Sequence, residues 1–226
     1  TVDNELGGMP AFEYPSTLIV ISDGITMCER KWFGIAREAV LNLVSEPDEE
    51  IENQEITIAS GCNADMDIIM QNSIIGSDSE EIKKALQKAA FSKRKTEFQC
   101  MLEMLKSIPN IVNKEGLSSP SVIILVSVEW SFFDASTEDC LDKILKDLFE
   151  HIDNLMIVDL KQDDNDRSDD FERFLKKIID SKKYWKEHKI KKKKIILSNK
   201  ESDDEKEDKI RNMLKSFLIN LGGKSQ

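Results

Sequence analysis

Asp23 is the residue best placed to do chemistry, because it closes the unbroken apolar run Thr17-Leu18-Ile19-Val20-Ile21 and is followed at once by Gly24. Such a run fits a strand buried on both faces of a parallel sheet, and open α/β sheets hold their ligands beyond the carboxyl ends of their strands. A carboxylate there can hold a cation, accept a proton or a phosphoryl group, or form a turn or helix cap. The sequence at this point marks a location rather than a reaction.

Other chemistries find little support. Cys28, Cys62, Cys100 and Cys140 lie 34 to 40 residues apart with no C-x-x-C pair, and only His151 and His188 could join them, so no zinc pattern is present. Both histidines stand in charged surroundings near expected helix ends and read as solvated, which leaves no base for Ser/His/Asp catalysis. The nine glycines form neither G-x-G-x-x-G nor G-x-x-x-x-G-K. The acidic stretches at 163–170 and 203–208 match no calcium loop and read as solvated loops. Ser77, Ser79 and Ser202 precede acids, as an acid-directed kinase prefers.

A net charge of −11 repels phosphate backbones and argues against nucleic acid as a partner. The one basic block, Lys189 to Lys194, reads as a solvated approach to a strand. No apolar stretch nears the ~20 residues that span a bilayer. The cysteine spacing and the lack of an N-x-[ST] acceptor favour reduced thiols and a cytoplasmic or nuclear location.

The elements that must position Asp23 follow from periodicity. Residues 1–15 read as an extended arm, 16–221 as one domain and 222–226 as a tail. Strands are expected at Thr17 to Ser22, Glu55 to Ser60, Asp65 to Asn72, Ser121 to Val128, Leu155 to Leu160 and Lys194 to Leu197. Helices are expected at Arg30 to Val44, from Ser79, from Thr96 to Ile108 where Pro109 ends it, and at Thr137 to Ile152, Phe171 to Trp185 and Ile210 to Leu221. The second and third strands are too close for a crossover helix, so they form an antiparallel hairpin. The fold class is therefore α/β: a doubly wound, mostly parallel six-stranded sheet with one antiparallel edge strand and helices on both faces.

This order resembles the von Willebrand factor A family over residues 16–221. That resemblance implies a metal site at the top of the sheet, whose first loop in the family reads D-x-S-x-S. Here the loop is Asp23-Gly24-Ile25-Thr26-Met27, so both serine positions are apolar and Thr26 stands one position out of step. Thr96 in Thr96-Glu97-Phe98-Gln99-Cys100-Met101-Leu102 is similar to the family's second-loop threonine, and Glu129 takes the third-loop acidic position. These four, Asp23, Thr26, Thr96 and Glu129, are the ligands of any remaining Mg²⁺ site. Each also has a plain reading, Thr96 as an N-cap and Glu129 as a solvated acid.

The resemblance to family members with degenerate metal sites implies a non-enzymatic protein-interaction module without a cofactor, a subunit of a larger intracellular complex of the proteasomal or the transcription and repair kind. A metal-dependent adhesion or ligand-binding domain with a weak Mg²⁺ is the alternative. An enzyme using Asp23 as a receiver-like acceptor is a third, which the hairpin after the second strand fits poorly. Partner contacts are expected at the carboxyl edge, where Asp23 to Met27, Arg94 to Glu97 and Glu129 to Phe133 gather. Trp130, Phe132 and Phe133 there either anchor a partner or fold back over the sheet end.

Overall fold

The computed structural model describes residues 16–61, 66–89, 97–127, 135–163, 176 and 189–222. Six strands form one sheet: β1 (Ser16–Ile21), β2 (Glu55–Ser60), β3 (Asp67–Ile74), β4 (Ser121–Val126), β5 (Asn154–Lys161) and β6 (Lys189–Ile196). Their order is β3-β2-β1-β4-β5-β6. All neighbours run parallel except β2 and β3, which pair antiparallel as their short connection requires. The chain winds outward in one direction from β1 and in the other from β4, which sets the topological switch point between those two strands.

The unbroken apolar runs of β1 and β4 are explained by helices on both faces. Leu18, Val20, Val122, Ile124 and Val126 share one core with α4 (Glu97–Glu115) and α5 (Ala135–Phe149). Ile19, Ile21, Ile123 and Leu125 share the other with α2 (Trp32–Ser45), α3 (Ser79–Lys88) and α6 (Asp203–Gly222). Successive strand side chains point to opposite faces, so a strand covered on both sides is apolar at most of its positions.

Several boundaries differ from the periodic reading. The helix expected from Arg30 begins instead at Trp32 as α2, and a short helix that was not expected, α1 (Ile25–Glu29), precedes it; Lys31 between them adopts a left-handed conformation with φ 60°. This break lets Met27 and Trp32 both turn into the core.

Pro109 does not end its helix; α4 continues to Glu115 with the proline inside. Losing one backbone hydrogen bond and gaining a ring clash costs about 3 kcal/mol. Burial of Ile111 and Val112 beyond the proline returns roughly 1.5 to 3 kcal/mol for each side chain. The true stop is Gly116, left-handed at φ 66°, with Leu117 N–H bonded to Val112 C=O at 2.9 Å and Gly116 N–H to Asn113 C=O at 3.4 Å. That is a Schellman closure, which glycine suits because it carries no Cβ.

The basic block read as a solvated approach is itself β6, paired with β5 from Asn154↔Lys189 to Lys161↔Ile196. An edge strand needs one covered face only, and charged lysines on it block pairing with other chains. Residues 203–208, read as loop, open α6 instead. Ser202 and Glu205 form a capping box: Ser202 N–H donates to Glu205 Oε2 at 2.7 Å, and Glu205 N–H donates to Ser202 Oγ at 3.3 Å. The expected arm at 1–15 and most of the expected helix at 171–185 lie outside the described residues.

Candidate functional site

The switch point gathers its groups through backbone bonds between strand ends. Ser22 N–H donates to Leu125 C=O at 2.9 Å, and Gly61 N–H donates to Ile21 C=O at 3.2 Å, tying the exit of β1 to β4 and β2. Asp23 follows directly and is buried, with 4% of its surface exposed. Gly24 N–H turns back onto Ser22 Oγ at 3.2 Å, and the Cys28 thiol donates to the Asp23 carbonyl at 3.2 Å. Gly24, rather than Asp23, stands at the N-cap of α1, and no side chain caps that helix.

The winding of α1 immediately after Asp23 decides which side chains line the loop. Thr26 is buried within α1, while Met27 has no exposed surface and belongs to the core beneath α2. The first loop therefore supplies one carboxylate and one hydroxyl. Mg²⁺ favours near-octahedral oxygen ligation, and the apolar Ile25 and Met27 cannot contribute to it. The donor set of this loop does not fit the cation that the fold resemblance implies. Thr96, Glu129, Trp130, Phe132 and Phe133 lie outside the described residues, as does Arg94.

A second feature of the same edge escaped the sequence reading. Asp159 in β5 is wholly buried, its Oδ1 lying 3.6 Å from Nζ of Lys161 and its Oδ2 3.5 Å from Nζ of Lys192 in β6. Register places Asp159 beside Val126, the last residue of β4. The i, i+2 spacing of Asp159 and Lys161 was the available signal, since it puts both on one face of a strand. The Asp159–Lys192 pair ties the edge strand β6 to β5.

Away from this edge, a cleft of about 270 Å³ between α2 and α6 is lined by Asn42, Ser45, Glu46, Asp204, Glu207, Asp208 and Arg211. Desolvation, with the nearby charges of Glu38, Asp204 and Asp203, holds the Glu207 carboxyl above its ordinary range. Asn42 Nδ2 donates to Glu207 Oε2 at 3.3 Å. Among the described residues no helix is long and apolar enough to cross a membrane.

No family model matches the sequence, and no curated protein matches it significantly. Solved structures do share the fold. The pilus adhesin SpaC from Lactobacillus rhamnosus GG, in its open conformation, is 12% identical with a TM-score of 0.52, over 91% of this chain and 30% of that one. Proximal thread matrix protein 1 from the mussel byssus is 14% identical with a TM-score of 0.52, over 92% of this chain and 48% of that one. A further structure of the mussel protein gives 14% identity and a TM-score of 0.51, over 92% and 47%. The chain thus spans less than half the length of each of these proteins, and at such identity the likeness concerns the fold alone.

Proposed function

We propose that this chain is a non-enzymatic interaction domain of von Willebrand factor A type, working as a protein-binding subunit of a larger intracellular assembly with little dependence on a metal. The carrying observation is the first loop: Asp23 is present, but Met27 is built into the core where the family's metal site takes a serine. An edge that recognises its partner without a cation does so by shape, apolar contact and hydrogen bonds of its own residues. The fold neighbours, a pilus adhesin and a thread matrix protein, are consistent with a binding role for the doubly wound sheet. Cys28 and Cys140 are not joined in disulfides, which suits a reducing compartment.

The test is affinity capture from native lysate, with and without EDTA, followed by mass spectrometry. The expected result is recovery of subunits of one intracellular complex, at the same yield in both arms. Partner loss in EDTA with return on adding Mg²⁺ would establish the metal-dependent alternative instead. Thermal unfolding with millimolar Mg²⁺ gives an independent reading, because a ligand of the native state raises stability by RT ln(1 + [L]/Kd). A rise of several degrees would overturn the metal-independent part of the reading.

A further inference from the structure

The last turn of α5 leads into β5 at the amino edge of the sheet, opposite to Asp23. There Asp147, Glu150 and His151 each bring a ligand atom within 4.8 Å of the others'. The spacing explains the convergence: positions i, i+3 and i+4 share one face of a helical turn. Packing holds the turn in place, since Leu148, Phe149 and Ile152 are buried between these residues and the sheet. Backbone bonds from Glu150 N–H to Asp147 C=O at 3.2 Å and from His151 N–H to Leu148 C=O at 2.9 Å tighten it. Asp153 N–H, bonded to Pro120 C=O at 3.2 Å, fastens its exit to the start of β4.

The local electrostatics are unfavourable without a cation. Two carboxylates three residues apart repel each other, and both stand at a helix C-terminus, whose partial negative charge favours cations. The neighbouring Lys146 is directed instead to Asp142, at 3.2 Å. Among the described residues none of the three side chains has an ion-pair or hydrogen-bond partner. The turn thus sets two like charges on the helix's negative end, where a cation is favoured. One divalent ion offsets both penalties.

We propose that Asp147, Glu150 and His151 form a surface site for Zn²⁺. One imidazole nitrogen and two carboxylate oxygens are a donor set that this borderline ion accepts, at ~2.0 to 2.2 Å, whereas Mg²⁺ and Ca²⁺ prefer oxygen alone. Three protein ligands leave a fourth position for water or for a partner's side chain. This site is independent of the Asp23 edge and of the function proposed for it.

The test is a titration of metal-free full chain with Zn²⁺ in competition with a chromogenic chelator. The expected result is one ion per chain, an affinity at least tenfold weaker in His151→Ala and in the pair Asp147→Asn/Glu150→Gln, and no change in Asp23→Ala. Asp147 and Glu150 are exposed, so their variants keep the fold, as far-ultraviolet circular dichroism will verify, and they carry the test if His151→Ala does not. Failure of the chain to compete with the chelator overturns the proposal. So does zinc uptake that survives both sets of substitutions, which would mean an adventitious ion only.

Discussion

Replacing Asp159 by Asn removes a negative charge between the buried ammoniums of Lys161 and Lys192, at 3.6 and 3.5 Å from its two oxygens. Lys161 retains 1% of its side-chain exposure and Lys192 9%, so neither ammonium can recover full hydration without moving β6. Breaking a buried pair by deleting one partner typically costs about 3 to 5 kcal/mol, because the charge left behind stays desolvated. At a urea slope of roughly 2 kcal/mol/M the unfolding midpoint of Asp159→Asn should fall by about 1.5 to 2.5 M. Lys191→Ala, on the exposed side of the same strand, should change stability by no more than about 0.5 kcal/mol. Replacing the whole cluster with Asp159→Leu, Lys161→Met and Lys192→Met should recover most of the loss, since a well-packed apolar set avoids desolvating any ion. A cost under about 1 kcal/mol for Asp159→Asn would refute the reasoning, for it would mean that the two ammoniums are compensated by groups other than Asp159.

Other substitutions test the remaining elements. Met27→Ser, which puts a hydroxyl at this position of the first loop, should cost about 2 to 5 kcal/mol as a core truncation and should confer no Mg²⁺-dependent rise in melting temperature. A Mg²⁺ response in that variant would show that the loop, not its packing, prevented binding. Ser202→Ala deletes half of the capping box and should cost about 0.5 to 2 kcal/mol by urea unfolding, with helix content otherwise kept. Glu207 has a folded-state value raised above its ordinary 4.5, so its charged form is disfavoured in the fold. Its contribution therefore worsens as pH rises from about 4.5 through the folded value, and Glu207→Gln should raise the melting temperature at pH 7 while leaving it unchanged at pH 4. An identical gain at both pH values would assign the effect to packing.

The architecture could be read from local pattern because it depends on local pattern. Leu18 to Ile21 and Val122 to Val126 have no polar position, which only a strand covered on both faces explains, and the short span between β2 and β3 admits only a hairpin. The position of Asp23 at the exit of β1 was legible for the same reason, as the first charge after a buried run. What the tertiary structure decided was the outcome of competitions between distant residues. Pro109 stays within α4 because the sheet buries Ile111 and Val112 beyond it, and no feature of the residues before Pro109 carries that information. Lys189 to Lys194 reads as solvent-facing until β5 is placed beside it, whereupon one side of the block becomes an edge strand and Lys192 meets Asp159, 33 residues earlier in the chain. Burial of a charge is a property of the pair rather than of either residue, so composition could not reveal Lys161 as interior. His151 likewise reads as a lone solvated imidazole; its i+4 spacing from Asp147 was visible in the sequence, but the helical turn that brings their ligand atoms together is seen only in the structure.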